Sequence, residues 1–284
     1  MKGIVLAGGT GSRLYPLTVS VNKHLLPIYD KPMIFYPISV LLLAGIKEIL
    51  IITTKKDKNL FHDLLGNGDH LGCNFTYEIQ EKPNGIGEAF IIGEKFIGED
   101  SVMLILGDNI LYGSGLSTIL TFNKENSAKI FPVMVSDPER FGVVEYSKDG
   151  EIISIEEKPK APKSKFAIPG IYYYPNDVIA IAKKIKPSDR GEIEISSINS
   201  YYLKQNRLKA TNLPRGITWL DTGTPESLAD AIEFVKVIEK RTTKKIACLE
   251  EVAFLRGFIS QKKANQASFR YGKGSYADYV SKIW

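Results

Sequence analysis

The first half of the chain alternates short, uninterrupted apolar runs with stretches whose apolar residues recur at helical spacing. Runs that are apolar along their whole length are typical of strands buried on both faces, as in a parallel sheet covered by helices. The predicted strands cover residues 4–6, 48–53, 75–80 and 102–106, and the predicted helices cover 33–46, 57–65 and 86–96. The pattern therefore predicts an α/β fold: a Rossmann-like, mostly parallel sheet with helices on both faces.

The pattern changes after residue 131, where alternation of apolar and polar positions becomes more common. Alternating segments on either side of Asp149-Gly150 predict a β-hairpin, because this dipeptide is a strong turn signal. The predicted elements of this half are strands 142–147, 151–156 and 168–174 and helices 193–205 and 224–240. We therefore expect a small antiparallel subregion beside the main sheet.

The C-terminal residues 242–284 include many apolar residues, which are concentrated in predicted helical segments 249–258 and 276–284. A terminal segment is usually disordered unless its apolar face is buried. The pattern predicts a catalytic domain at 1–241 followed by a C-terminal helical extension with a role in assembly or regulation. Periodicity indicates burial without indicating the partner, so the extension packs either on its own chain or on another subunit.

Composition sets the class of protein. The chain has 284 residues, 44% of them hydrophobic, which suffices for one large core. No stretch approaches the ~20 apolar residues of a membrane span, and the run before Gly8 is too short for a signal peptide. We therefore expect a cytoplasmic protein without a membrane partner. Cys73 and Cys248 have none of the Cys/His spacing of a zinc site, so buried, reduced cysteines are expected.

The net charge of +5 and the pI of about 8.9 suit a protein that binds anionic substrates. The basic residues are scattered, and the densest cluster, at 240–245, has the character of a helix end with a solvated loop. No recognition motif accompanies the charge, so nucleic acid is not a predicted partner.

A glycine-rich loop follows the first predicted strand, with the sequence GGTGSR at 8–13. Its glycines allow backbone N–H groups to approach phosphate oxygens closely, and Arg13 adds a fixed positive charge. The loop lacks the Gly-Lys-Ser/Thr ending of a Walker A motif. It also lacks the third glycine of the dinucleotide fingerprint, which excludes a nicotinamide dehydrogenase. The alternative is a tight strand-to-helix turn without a ligand.

Two aspartates are candidate metal ligands. Asp108 follows the predicted strand 102–106, and ligands of open α/β sheets bind at the carboxyl ends of strands. Asp221 lies between an apolar segment and the next predicted helix. Two carboxylates, completed by phosphate oxygens and water, match what Mg²⁺ prefers. The alternative roles are a turn-forming residue for Asp108 and a helix cap for Asp221.

An ordered set of motifs extends over nearly the whole chain and resembles the sugar-1-phosphate nucleotidyltransferases. The motifs are GGTGSRLYPLT (8–18), NKHLLPIYDKPMI (22–34), QEKPNGIGEAF (80–90), LGDN (106–109), DPERFGVVE (137–145), EEKP (156–159), GIYYY (170–174), RGEIEIS (190–196), WLDTGT (219–224) and KIACLEEVAFLRGFI (245–259). The resemblance is greatest to the long-form members that transfer a thymidylyl group. The chain departs from the family pattern in two places: His24 replaces a usual glutamine, and Gly87-Glu88 replaces a usual Ala-Gln.

The resemblance implies roles for individual residues. The implied catalytic residues are Arg13, Lys23, Asp108 and Asp221, with Mg²⁺ held by Asp108 and Asp221. The implied nucleotide-binding residues are Leu6, Gly8, Gly9, Gly11, Ser12, Arg13, Gln80, Pro83, Gly85 and Asp108. The implied sugar-phosphate-binding residues are Asn109, Gly142, Glu157, Lys158 and Ile168. Read without the resemblance, Glu157-Lys158 is a solvated sheet end, residues 80–85 form a polar loop, and Tyr172–Tyr174 belong to the core.

The resemblance also implies the reaction. Its substrates are dTTP and glucose-1-phosphate, its products are dTDP-glucose and pyrophosphate, and the small antiparallel subregion binds the sugar. Long-form members are homotetramers with a second nucleotide site, which implies feedback by a dTDP-sugar. The alternatives are the same chemistry with UTP or another sugar-1-phosphate, or an inactive regulatory subunit that binds a sugar nucleotide.

Overall fold

The computed structural model describes residues 1–121 and 126–283, which form fifteen strands and eleven α-helices. The strands are β1 Lys2–Leu6, β2 Pro27–Ile28, β3 Lys31–Pro32, β4 Glu48–Thr53, β5 Asn74–Ile79, β6 Val102–Leu106, β7 Asn109–Gly113, β8 Ala128–Ile130, β9 Val133–Met134, β10 Gly142–Tyr146, β11 Ile152–Glu157, β12 Phe166–Ile168, β13 Ile171–Tyr174, β14 Leu208–Ala210 and β15 Ile217–Asp221. The helices are α1 Phe35–Leu43, α2 Lys58–Leu65, α3 Glu88–Ile92, α4 Glu94–Ile97, α5 Leu116–Ile119, α6 Val178–Ala182, α7 Ile195–Lys204, α8 Pro225–Thr242, α9 Leu249–Leu255, α10 Gln261–Gln266 and α11 Ser275–Val280.

The main sheet has seven strands in the order β14-β8-β13-β6-β1-β4-β5. Four of its pairs are parallel, and β13 is the one strand described in this sheet that runs antiparallel to both of its neighbours. Successive residues of β1 face opposite sides: Ile4 packs into one core cluster and Val5 into another. The predicted α/β fold, with a mostly parallel sheet covered on both faces, is therefore confirmed.

The predicted hairpin is confirmed as β10 and β11, which pair in an antiparallel four-stranded sheet with order β11-β10-β12-β9. The prediction of one strand over 168–174 is wrong. The chain leaves this small sheet after Ile168 and enters the main sheet at Ile171. Pro169 has no N–H for a ladder, and the Gly170 N–H donates to Asn109 Oδ1 at 2.9 Å instead.

The single helix predicted over 86–96 is also interrupted. It divides at Gly93, where a Cβ atom would lie 3.1 Å from Ile4 Cδ1 of β1. Close approach of the helix backbone to the sheet therefore requires glycine at this point, at the expense of helix continuity.

The C-terminal extension packs on its own chain. Leu249 and Val280 are fully buried in the same core cluster as α1, and the Tyr276 ring meets the Phe35 ring edge-on at 6.0 Å. Buried Glu250 accepts hydrogen bonds from the hydroxyls of Tyr271 at 2.5 Å and Tyr276 at 2.7 Å. Trp284, the last residue of the predicted tail helix, lies outside the described residues.

In the described part of the chain, no helix combines the length and the apolar character that a membrane span requires. Cys73 and Cys248 are both buried and free, and burial raises the pKa of the Cys73 thiol to about 12.

Candidate active site

A cleft lies at the carboxyl ends of β1 and β6, with walls from the main sheet and the small antiparallel sheet. What we call the glycine-loop end is lined by Gly8, Gly9, Gly11, Ser12, Leu14, Lys23, His24 and Gly223. What we call the small-sheet end is lined by Ile86, Leu106, Asn109, Arg140, Phe141, Gly142, Glu157, Lys158, Ile168, Gly170, Tyr172, Ile195, Trp219 and Asp221. Arg13 and Asp108 line both ends, so the two form one continuous cleft.

The glycine loop has a left-handed backbone at two positions, Gly9 with φ 96° and Gly11 with φ 61°. The turn is fixed by Thr18, whose hydroxyl donates to the Gly11 carbonyl at 2.7 Å. A short 3-10 helix over 12–14 then directs Arg13 into the cleft. Backbone N–H groups of such a loop and a guanidinium provide the donors that a phosphate group requires.

Lys23 and Asp108 form a short ion pair at the junction of the two ends, with Nζ 2.5 Å from Oδ2. Both are shielded, with side-chain exposures of 8% and 19%. Burial by itself raises the pKa of Asp108. The charges of Lys23 and His24 and the hydrogen bonds from Lys23 and Asn109 outweigh burial, and the pKa is lowered to about 2. Asp108 is therefore a carboxylate at neutral pH.

His24 is a packed, buried side chain. Its backbone N–H donates to Asn22 Oδ1 at 2.9 Å, and a ring nitrogen lies 2.9 Å from the same oxygen. Burial is the main cause of a pKa lowered to about 4, although the charge of Asp108 opposes the shift. The ring is therefore neutral at pH 7 and adds no charge to the cleft.

Asp221 reaches the cleft because β15 pairs with β7, which places it directly opposite Asn109. Its Oδ2 accepts from Arg140 Nη2 at 2.8 Å. Burial and the charge of Asp108 raise the pKa of Asp221, against the lowering effect of Lys23, Arg140 and Arg13. Two neighbouring carboxylates that oppose each other's ionisation form a site that favours a cation.

The donor set fits a magnesium ion that is shared with substrate phosphates. In the described residues there is no group of three or more His, Cys, Asp and Glu side chains that could enclose a metal. Asp108 and Asp221 supply two carboxylates next to the anion-binding glycine loop. Mg²⁺ is typically held by one or two carboxylates plus phosphate oxygens and water, so these residues suit it.

The small-sheet end is built by strand register. Gly142 of β10 lies opposite Glu157 on one side and Ile168 on the other, which brings three predicted sugar-phosphate residues together. Burial raises the pKa of Glu157, and the Lys158 charge counteracts it. Lys158 Nζ lies 3.9 Å from Glu157 Oε1 and its side chain is 51% exposed.

Four predicted nucleotide-binding residues lie outside the two described ends of the cleft: Leu6, Gln80, Pro83 and Gly85. Gln80 nevertheless borders the glycine loop, because a Cβ atom on Gly8 would lie 2.8 Å from Gln80 Oε1. Its Nε2 donates to Glu88 Oε2 at 2.8 Å and to the Gly85 carbonyl at 3.3 Å.

Arg140, Trp219 and Tyr172 are among the residues that line the cleft but were not predicted as site residues. Arg140 holds Asp221, and Trp219 Nε1 donates to Asn109 Oδ1 at 2.6 Å. Both stand inside quoted motifs, which was the available signal. Tyr172 lines the cleft although it is buried, while Tyr173 and Tyr174 belong to the core as expected.

Comparison with known proteins defines the class. Residues 2–237 match the family model described as nucleotidyl transferase. The chain belongs to this family and is a nucleotidyltransferase.

Individual relatives show which nucleotidyltransferases the chain resembles. The glucose-1-phosphate thymidylyltransferase of Mycobacterium tuberculosis (strain H37Rv) is 49% identical over 284 residues, which cover 100% of this chain and 99% of the relative. The enzyme of the same name from Neisseria meningitidis serogroup A is 48% identical over 285 residues, with the same coverage.

Solved structures agree in fold. A Bacillus anthracis protein assigned to glucose-1-phosphate thymidylyltransferase, in complex with sucrose, matches with a TM-score of 0.77 and 45% identity, over 82% of this chain and 94% of that one. A UDP-glucose pyrophosphorylase complexed with UDP-glucose matches with a TM-score of 0.73 and 26% identity, over 84% and 99% of the two chains.

Proposed function

We propose that this protein transfers the thymidylyl group of dTTP to glucose-1-phosphate and releases pyrophosphate. The observation that carries the proposal is the composition of one continuous cleft. A carboxylate pair, Asp108 and Asp221, stands between an anion-binding glycine loop with Arg13 and a small-sheet end with Lys158. Near-full-length similarity to proteins named glucose-1-phosphate thymidylyltransferase supports these two substrates in particular.

The nucleophile of the reaction is a phosphate oxygen of the sugar-1-phosphate. The second pKa of a phosphate monoester is about 6, so this oxygen is largely ionised at pH 7 and needs no general base. Neutral His24 is consistent with this, because its pKa of about 4 and its bonds to Asn22 make it unsuited to proton transfer at neutral pH. The oxygen attacks the α-phosphorus in line, and the bond from that phosphorus to the pyrophosphate oxygen breaks.

The chain's own contribution is therefore positioning and charge, which dominate catalysis of phosphoryl-type transfer. Arg13 and the glycine-loop N–H groups bind the triphosphate, and Lys23 acts at the α-phosphate. Lys158 binds the sugar phosphate, while Glu157, Asn109 and neighbouring groups of the small-sheet end orient the sugar.

Asp108 and Asp221 would hold Mg²⁺, and this assignment is part of the proposal. When bound, the metal supplies charge neutralisation on the phosphate oxygens and on the leaving pyrophosphate. Lys23 is paired with Asp108 and Arg140 with Asp221. A metal held by the two carboxylates would compete with these ion pairs and would leave Lys23 and Arg140 available to phosphate oxygens.

The base is read by the segment containing Gln80, Pro83 and Gly85. Both N–H groups of the Gln80 amide are engaged within the protein, so its Oε1 is the atom that accepts from a ligand. Thymine and uracil carry an N–H at the central position of their pyrimidine edge, and cytosine carries an acceptor there. The segment therefore favours dTTP, with UTP second.

The test is release of pyrophosphate with each nucleoside triphosphate, with and without glucose-1-phosphate. We expect release that requires both substrates and Mg²⁺, with dTTP preferred over UTP. The ratio of dTTP to dUTP, which differ by one methyl group, should be about tenfold, because such a group is worth ~1–3 kcal/mol. A clear preference for ATP or CTP would contradict the thymidylyl assignment. Absence of release with every triphosphate, from folded protein, would favour the inactive regulatory subunit.

The same assay with galactose-1-phosphate and amino-sugar phosphates in place of glucose-1-phosphate shows which sugar the protein accepts. Sugar epimers differ by one hydroxyl, so the residues at the small-sheet end decide between them. We assign the protein to the cytoplasm, where nucleoside triphosphates and sugar phosphates are available.

We also propose a homotetramer with feedback by a dTDP-sugar at a second site. Leu255 and Phe269 support an assembly role for the extension, since both are apolar and are 71% and 85% exposed. Light scattering should detect a tetramer that is weakened by a Leu255→Ser, Phe269→Ser double variant. A folded, active monomer would reject the assembly, and inhibition by dTDP-sugar that is purely competitive with dTTP would reject the second site.

A further inference from the structure

The Gln80 side chain is held in one orientation by two acceptors. Its Nε2 donates to Glu88 Oε2 at 2.8 Å and to the carbonyl of Gly85 at 3.3 Å. A primary amide has two N–H donors, so both are used. The remaining polar atom, Oε1, lies beside the glycine loop, at 2.8 Å from the position that a Cβ atom on Gly8 would occupy.

The Glu88 carboxylate is itself fixed. It begins α3, following Gly87, and its second oxygen accepts from Asn84 Nδ2 at 2.8 Å. An acidic side chain is favourable in the first turn of a helix, where unpaired N–H groups produce a partial positive charge. Glu88 therefore links the turn at Asn84 to the amide of Gln80.

The reversed amide orientation is disfavoured by this arrangement. Rotation of the Gln80 amide by 180° would place Oε1 against a carboxylate oxygen and a carbonyl oxygen, which are both acceptors. An ionised carboxylate has no donor to offer, so it cannot adapt to the reversed amide. A glutamine at position 88, which resembling proteins usually carry, also has a carbonyl oxygen that can accept from Gln80 Nε2, whereas an alanine there has none.

We propose that Glu88 is a positioning residue that determines base specificity through Gln80. It keeps Gln80 Oε1 directed toward the base site, so that the protein selects bases with an N–H at the central pyrimidine position and rejects cytosine. The inference rests on the proposed function, in which Gln80 reads the base.

The experiment compares kcat/KM for dTTP and dCTP, two triphosphates with the same sugar, in wild type, Glu88→Gln and Glu88→Ala. We expect the ratio of dTTP to dCTP to fall by about tenfold or more in Glu88→Ala, since a site that pairs with an N–H loses discrimination when its acceptor can be exchanged for a donor. Glu88→Gln should keep the ratio within about threefold of wild type, because its carbonyl oxygen still accepts from Gln80 Nε2. The gain should come mainly from dCTP, with KM for glucose-1-phosphate unchanged.

Glu94→Ala is the matched control, because it makes the same chemical change in the neighbouring helix α4, on an exposed carboxylate that pairs with Lys183. It should leave the ratio within about twofold of wild type. Asn84→Ala should lower the ratio less than Glu88→Ala, since it removes only the support of the carboxylate. Equal far-ultraviolet spectra and melting temperatures identify folded variants, and Glu88→Ser serves if Glu88→Ala is unfolded.

Three results distinguish failure of the inference from failure of the proposed function. If wild type prefers dTTP over dCTP and a folded Glu88→Ala or Glu88→Ser variant keeps that ratio within about twofold, Glu88 has no role in specificity and the inference is overturned. If all triphosphates lose activity in equal proportion, Glu88 is merely structural and the inference fails as well. If wild type itself prefers dCTP or a purine triphosphate, the proposed function has failed before Glu88 is tested.

Discussion

The two ends of the cleft hold their cations in different ways. At the glycine-loop end, Lys23 is 8% exposed and its Nζ lies 2.5 Å from Asp108. At the small-sheet end, Lys158 is 51% exposed and lies 3.9 Å from the nearest oxygen of Glu157. The first lysine is fixed by a buried partner before any ligand arrives, whereas the second is largely solvated.

The difference suggests a division of labour. A buried ion pair breaks at considerable cost unless another charged partner replaces it, so the glycine-loop end is arranged for a ligand that brings a metal and several phosphate charges. A solvated lysine is worth little to the fold and can bind an incoming phosphate with little rearrangement. We therefore expect changes at the glycine-loop end to affect turnover and changes at the small-sheet end to affect binding of the second substrate.

The largest effect is expected from the two carboxylates between the ends. Asp108→Asn and Asp221→Asn should each reduce turnover by about 100-fold or more, because the metal loses a charged ligand. The measurement is kcat over a range of magnesium concentrations, with circular dichroism to verify folding. Near-normal rates at limiting magnesium in both variants would remove these aspartates from the metal site.

Replacing one basic residue at each end of the cleft tests the comparison directly. Arg13→Ala should mainly lower kcat, and Lys158→Ala should mainly raise KM for glucose-1-phosphate, each by roughly tenfold to 100-fold. In the roles that we propose, Arg13 interacts more strongly with the reacting triphosphate than with the bound ground state, while Lys158 binds both states about equally. Exchanged phenotypes would reverse the roles that we assign to the two ends.

A smaller effect, on stability alone, is expected from His24, and it tests whether the glycine-loop end is buried. Burial lowers its pKa to about 4. Between the ordinary value of about 6.5 and pH 4, the unfolded chain binds a proton that the folded protein rejects. The stability that the neutral ring contributes is therefore complete above pH 6.5 and is lost as the pH falls toward 4.

Between pH 7 and pH 5 this loss amounts to about 2 kcal/mol of unfolding free energy. Urea unfolding at the two pH values should reveal it in wild type, and His24→Gln should remove it. His62→Gln, at an exposed position on α2, is the matched control and should leave the loss in place. An identical pH dependence in wild type and His24→Gln would mean that His24 can be protonated in the folded protein.

Much of this architecture was predictable because it depends on local pattern. The strands at 48–53 and 102–106 were predicted to the residue, since unbroken apolar runs bounded by polar residues define a buried strand. The residues that line the cleft, such as Arg13 and Asp108, stand in ordered motifs directly after strand ends. Position at the carboxyl end of a strand then brings them together.

What was missed depends on contacts between distant parts of the chain. Arg140 reaches Asp221 across 81 residues, and Trp219 reaches Asn109 across 110, through the pairing of β15 with β7. Nothing in the local sequence of either residue indicates that pairing. The break at Pro169-Gly170 was missed for a similar reason, because apolar residues on both sides satisfy the strand pattern while belonging to different sheets.

The most direct test of the central claim follows the oxygen atoms of the sugar phosphate. Glucose-1-phosphate labelled with ¹⁸O at its three non-bridging oxygens is incubated with dTTP, Mg²⁺ and the protein, and both products are analysed by mass spectrometry. If a sugar-phosphate oxygen attacks the α-phosphorus of dTTP, dTDP-glucose retains all three labels and pyrophosphate contains none. Loss of one label from dTDP-glucose would show that the bond breaks at the sugar phosphate instead, and would contradict the account.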